Sequence, residues 1–218
     1  MPKFNFCKYI YTMLFAACFI FSFQHGRAEE NELDLRLFYY FNMGNSCLKK
    51  GHCDCAISNF NKAIKINPHF VEAYFSRASA WIIIGDFDRA IDDCSKALEI
   101  DPNCIKSHNN RGVAWIKKGD YIRAIINFDL ALKINPQDVD ALKNRGSAWL
   151  KKGDYNRAVT DFDLVLKINP QDASTYAHRG IAMWKQGNAR EACYNWNLAC
   201  QLGDCKLYVV SKERKLCQ

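Results

Sequence analysis

Cysteine and histidine are the residue types in this chain whose chemistry could be redox, catalytic or metal-binding. There are eleven Cys and five His among 218 residues. Cys7, Cys18 and His25 fall in the first 28 residues, which leaves Cys47, Cys53, Cys55, Cys94, Cys104, Cys193, Cys200, Cys205 and Cys217. An oxidising compartment permits disulfides, and an odd set leaves at least one thiol free or paired with another chain. Cys200 and Cys205 bracket a short turn that closes if their Cα atoms lie within about 7 Å. Cys193 and Cys200, seven apart on one helix, stand about 10 Å apart by the helical rise and should not pair. His52-Cys53-Asp54-Cys55 is the one metal-like cluster. Zinc wants four ligands and only Cys47 lies close by in sequence, so no metal is assigned. His52, His69, His108 and His178 stand apart, with no nucleophile at a recognisable spacing. No catalytic residue and no cofactor is assigned.

The elements that carry these residues follow from a copied unit. Arg111 to Pro136 recurs almost letter for letter at Arg145 to Pro170, and Pro68, Pro102, Pro136 and Pro170 keep a 34-residue step. Such a period belongs to helical repeat arrays, which stabilise themselves by stacking neighbours. Apolar residues at three- and four-residue steps predict paired helices: 53–66 after a first helix at 31–50, then 71–84 with 87–100, 105–118 with 121–134, 139–152 with 155–168, and 173–186 with 189–202. Gly44, Ala78, Gly112, Gly146 and Gly180 recur at one register and let the second helix of each pair approach closely. Trp81, Trp115 and Trp149 are expected as core wedges. Arg77, Arg111, Arg145 and Arg179 also recur once per unit, opposite Asp93, Asn127, Asp161 and Asn195, which predicts a structural bond between the two series. The predicted organisation is 29–36 as an extension of the first helix, five repeats at about 37–70, 71–104, 105–138, 139–172 and 173–204, and a solvating cap helix at 205–218.

Residues 1–28 carry Lys3 and Lys8, an apolar run from Tyr9 to Phe23, and Gly26-Arg27-Ala28, the layout of a secretory signal peptide. The run is about 15 residues, short of the roughly 20 a spanning helix needs. Cleavage before a lipid-carrying Cys18 is a second reading, opposed by Phe15 and by the apolar run continuing past the cut. The expected location is therefore outside the cytoplasm, periplasmic or secreted in a bacterium, with membrane contact only through this segment. The absence of any Asn-x-Ser/Thr acceptor after Ala28 agrees with a bacterial envelope. The net charge of +7 falls to about +4 once Lys3, Lys8 and Arg27 leave. With no long Lys/Arg block in the repeats, a nucleic-acid partner is excluded.

The repeats resemble the tetratricopeptide repeat family: a small residue early, an aromatic three residues later, Gly at the turn, Ala-x-x-x-Phe in the second helix, then Pro. The tail Ala192–Cys205 also resembles the Cys-bearing units of the Sel1-like class, although the constant 34-residue step argues against assigning the array to it. The family resemblance implies an all-α, right-handed α-solenoid of tandem helix-turn-helix repeats, whose first helices line a concave peptide-binding face. In that frame the candidate groove residues are Phe38, Phe41, Asn45, Phe75, Lys106, Asn109, Asn110, Lys143 and Asn144. Of a chaperone-type carboxylate clamp, only Asn45 and Lys106 match, and the missing cations remove most of the charge-assisted bonding. The expected function is an exported scaffold for a protein or peptide partner, in envelope assembly or secretion, with no small-molecule substrate. The competing reading is a cysteine-rich redox or enzyme-like exported module.

Overall fold

The computed structural model describes residues 32–214, 216 and 217. The segment read as an export signal and the alternative lipid site at Cys18 lie outside the described residues. Eleven helices are described: α1 over 32–49, α2 Cys53–Ile66, α3 Val71–Ile84, α4 Phe87–Ile100, α5 Ile105–Lys118, α6 Tyr121–Ile134, α7 Val139–Lys152, α8 Tyr155–Ile168, α9 Ala173–Lys185, α10 Ala189–Gln201 and α11 Lys206–Glu213. The fold is all-α, built of tandem helical hairpins. None of the described helices is long and apolar enough to cross a membrane. The chain falls into two compact units, one ending at Ala73 and one running from Tyr74 onward.

In the first unit, α1 and α2 form a hairpin whose core joins Leu37, Ala63 and Ala73, with Tyr40, Phe41, Ile64 and Phe70 packed against it. A disulfide, Cys47–Cys55, staples the hairpin near its turn. Cys55 is thereby removed from the sequence cluster that looked metal-like, and no group of metal-binding residues occurs among the described ones.

In the second unit each helix from α4 to α10 packs on the next, and the first helices α5, α7 and α9 also touch in series. Local sequence sets the ends. Asp86, Asp120 and Asp154 cap α4, α6 and α8 by accepting from the backbone N–H three residues on. Gly119 and Gly153 end α5 and α7 in the left-handed region, at φ 82° and 91°, a backbone conformation that residues with a side chain rarely adopt. Inside the hairpins, a Cβ at Gly112 would stand 2.6 Å from the Phe128 ring, and one at Gly146 2.7 Å from Phe162. Hairpin two keeps the contact with other residues. Ala78 takes the glycine position, Cys94 takes that of the ring, and both are fully buried in one cluster. Small-plus-large has become medium-plus-medium, so the close approach survives.

The tryptophans depart from expectation. Trp81, Trp115 and Trp149 are half-buried rather than enclosed, because each sits at a hairpin edge with one face on the core and the other under a guanidinium. Arg89, Arg123 and Arg157 lie 4.7, 4.4 and 4.6 Å from those rings. At the C-terminal end, Cys200–Cys205 closes the turn after α10 as the spacing allowed, and Cys193 pairs with Cys217 rather than with Cys200. That second bridge ties the chain beyond α11 back onto α10, beside Trp196 and Tyr208.

Candidate functional site

The recurring arginines sit on first helices, and two of them, Arg111 and Arg145, reach two second helices. Arg145 Nε and Nη2 donate to the two carboxylate oxygens of Asp161 at 2.9 and 2.6 Å, while Nη1 donates to Asp129 of the preceding hairpin at 2.6 Å. Arg111 repeats this geometry with neutral partners, Asn127 at 2.7 Å and Ser95 at 3.2 Å. Arg77 grips Asp93 through Nε and Nη2, and Asp93 also accepts from the Trp81 indole at 3.0 Å. Arg179 corrects the expected pairing. It makes no bond to Asn195 and lies 3.0 Å from Asp163 of the preceding hairpin, out of line for a hydrogen bond. Asn195 instead donates to the Glu191 carbonyl at 2.7 Å. These contacts hold the array together and leave the guanidinium groups of Arg111 and Arg145 turned inward.

Sequence reasoning found one side of this lattice, the residues sixteen positions after each arginine. It missed the other side, Ser95, Asp129 and Asp163, sixteen positions before, although they keep the same 34-residue step. Burial pushes the Asp161 carboxyl above its ordinary range, with Arg145 pulling the other way, and the same contacts raise Arg145.

The candidate groove residues divide by what they touch. Phe41 is packed inside its hairpin, with ring centroids 6.0 Å from Phe60 and 5.0 Å from Phe70. Phe38 is exposed and meets Phe70 edge-on at 6.1 Å. Asn45 is half-buried on the same helix. In the second unit, Asn109 donates to Asp138 at 3.0 Å and Lys143 to Asp172 at 2.7 Å. Asp138 and Asp172 are the N-caps of the next first helix, so each acid caps a helix and latches two hairpins at once. Asp172 is drawn below its ordinary range: burial opposes this, but Lys143 and the Thr175 amide outweigh it. Asn110 donates to the Phe75 carbonyl at 3.0 Å and to Ser79 Oγ at 2.8 Å, again bridging hairpins.

Phe41 with Phe70, Asn109 with Asp138 and Lys143 with Asp172 therefore share one register, 29 residues apart in sequence. The side chains expected to face a ligand are largely committed to joints. The physical reason is that slots facing the next hairpin must satisfy each other before any partner arrives. Two candidates remain open in the second unit. Lys106 is exposed, its ammonium 5.2 Å from the Phe75 ring. Asn144 is half-buried and makes no side-chain hydrogen bond among the described residues; Val113 stands where Ser79 serves Asn110.

The remaining chemistry is muted. Burial, with Asp93 adding, pushes the Cys94 thiol far above its usual value, so little reactive thiolate forms. Cys53 is buried and Cys104 half-buried, with the Ser107 hydroxyl 3.1 Å from its sulfur. His108 is buried, donates from Nε2 to the Pro102 carbonyl at 3.0 Å, and has no partner for Nδ1.

Tandem hairpins latched by recurrent side chains define a helical-repeat interaction scaffold. The chain belongs to the tetratricopeptide repeat family: models described as tetratricopeptide repeat match residues 39–70, 71–104 and 105–138, and one described as TPR repeat matches 146–187. Among solved structures it is similar to PilF of Pseudomonas aeruginosa, with a TM-score of 0.73 and 20% identity over 85% of this chain and 88% of that one. It is also similar to MamA of Desulfovibrio magneticus RS-1, with a TM-score of 0.69 and 18% identity over 78% and 97%. YrrB, described as a TPR protein with an unusual peptide-binding site, gives a TM-score of 0.65 and 19% identity over 85% and 95%. At these identities the likeness is one of fold. No curated protein sequence matches the chain.

Proposed function

We propose that this protein is an exported scaffold that holds an extended segment of a partner protein along the first-helix face of its second unit, in envelope assembly or secretion. The observation that carries the binding role is Asn144. A half-buried amide without an internal partner can offer donor and acceptor together to a peptide backbone. Lys106 over Phe75 adds an apolar surface with a cation at its edge. Export is supported by the layout of residues 1–28 and by the disulfides Cys47–Cys55, Cys193–Cys217 and Cys200–Cys205, which persist in oxidising compartments. YrrB is described as having a peptide-binding site, which agrees with this reading.

A displayed random-peptide library, selected on the chain from Glu29 onward, tests the binding role. Selected peptides should lose about tenfold in affinity on Asn144→Ala, about what one buried hydrogen bond is worth. Equal affinity for the variant would remove the groove from consideration. Fractionation of cells expressing the full chain, followed by thiol labelling with and without reductant, tests export; a cytosolic, fully reduced protein would overturn it.

A further inference from the structure

Helix α6 carries apolar residues that the core does not use. Its inward face, Ala124, Ile125, Phe128, Ala131 and Leu132, is already buried. On the opposite side Ile122, Ile126, Leu130 and Ile134 follow at four-residue steps and are 62, 52, 39 and 38% exposed. They form one continuous ridge about 18 Å long. At the same register α4 has Asp88, Asp92 and Lys96 before Ile100, and α8 has Asn156 and Thr160 before Leu164 and Ile168. The isoleucine at the last position therefore belongs to the repeat, whereas α4 shows that the first three outer positions are free to be polar, so folding gives no reason to expose Ile122, Ile126 and Leu130.

The charges on α6 and α8 narrow what could cover the ridge. Their acids are already paired, Asp129 and Asp161 with Arg145 and Asp163 with Arg179. Arg123 and Arg157 pair with Asp120 and Asp154 and lie over Trp115 and Trp149. What remains uncommitted on these two helices at the far end of the ridge is positive: Lys133 beside Ile134 and Lys167 beside Ile168, both exposed and without an ion-pair partner among the described residues.

We infer that this second-helix face is a docking surface for an amphipathic helix of another protein, apolar at three- and four-residue steps and acidic where it passes Lys133 and Lys167. A ridge of side chains four apart interdigitates with the equivalent grooves of a crossing helix, whereas a broad apolar plane would suit a lipid surface better. A second copy of the chain fits poorly. Pairing α6 with itself antiparallel sets residue 134 against residue 122 and Lys133 against Arg123, whose charge Asp120 already offsets, so it offers Lys133 no acid. An acidic helix supplies one. This surface is separate from the first-helix face and does not rest on the peptide reading.

The test uses two labelled synthetic peptides of about 18 residues, enough to span the ridge as a helix. Both carry leucines at helical three- and four-residue spacing, one flanked by Glu and one by Lys. Fluorescence anisotropy against the chain from Glu29 should show saturable binding of the Glu peptide. The double variant Ile126→Ser, Leu130→Ser should weaken it about tenfold or more, while circular dichroism shows the fold unchanged because neither side chain lies in the core. Lys133→Glu with Lys167→Glu should shift preference to the Lys peptide with the ridge intact. Equal binding of both peptides to the native chain, or binding indifferent to the ridge variant, would overturn the proposal. So would uptake by anionic phospholipid vesicles, or a concentration-dependent dimer in sedimentation, if either is abolished by the ridge variant while the Glu peptide fails to bind.

Discussion

Hairpins three and four are near-copies in sequence, and the structure places their backbones in the same register, yet they hold their neighbours with different chemistry. Arg145 in hairpin four lies in an ionic clamp between Asp129 and Asp161, whereas Arg111 in hairpin three bonds Ser95 and Asn127. At the latch to the next hairpin, four has Lys143 on Asp172 and three has Asn109 on Asp138. Hairpin three also buries His108 where four has Leu142. Hairpins three and four each place an acceptor sixteen residues away on both sides of the arginine, and that acceptor need not be charged. Sequence divergence between copies can therefore alter the electrostatics of a joint without moving it.

The largest difference should come from removing the arginine itself. Arg145→Ala leaves Asp161 buried without its cation and should cost about 3–5 kcal/mol. Arg111→Ala strands only neutral groups and should cost about 1–2 kcal/mol. Urea midpoints of the two variants, compared with native protein, check this; equal losses would show that charge is irrelevant to the clamp. A smaller effect is expected when hairpin four is given the chemistry of hairpin three. Asp161→Asn should cost about 1 kcal/mol, since an acceptor is retained while its charge is lost. A loss matching that of Arg145→Ala would mean that the pair works only as ions.

The latch offers a comparison in acid. Because the Asp172 carboxyl is held below its ordinary value, the stability it contributes is complete above the unfolded carboxylate range and disappears as pH falls through the depressed value. Lys143→Asn, which gives hairpin four the latch of hairpin three, should reduce the loss of thermal stability below about pH 4. An unchanged acid limb would remove Lys143 from the account.

The smallest expected effect concerns His108. Burial holds its protonation below the ordinary value of 6.5, with the Pro102 carbonyl opposing and Arg111 adding. The unfolded chain therefore takes up the proton first, so native stability is full above 6.5 and falls as pH drops below it toward the depressed value. His108→Leu, which copies hairpin four, should flatten that part of the thermal-stability profile and leave the region above neutrality unaltered. A slope that persists in the variant would assign the effect to another group.

Much of this architecture was legible from residue spacing alone. The helix pairs from 53–66 onward follow from apolar residues three and four apart, because a helix that must bury one face writes that face into its sequence period. The arginine series and its partners sixteen residues later were visible for the same reason, since a repeat copies its internal bonds along with its backbone. Position within a repeat could not reveal which face of a side chain is already occupied. Phe41 and Lys143 occupy slots that the family frame assigns to a ligand. The structure gives them to Phe70 and Asp172, because those residues stand where the chain passes from one hairpin to the next and meet them only once the helices have packed. Asn110 and Asn144 share one register and differ only in what the previous hairpin offers, Ser79 or Val113. The α6 ridge became meaningful only when its opposite face was seen to be filled. Sequence by itself determined the period, the helices and the bonds internal to a repeat. Tertiary structure decided which polar groups the joints consume and which remain for a partner, because satisfaction of a hydrogen bond depends on neighbours that only stacking brings together.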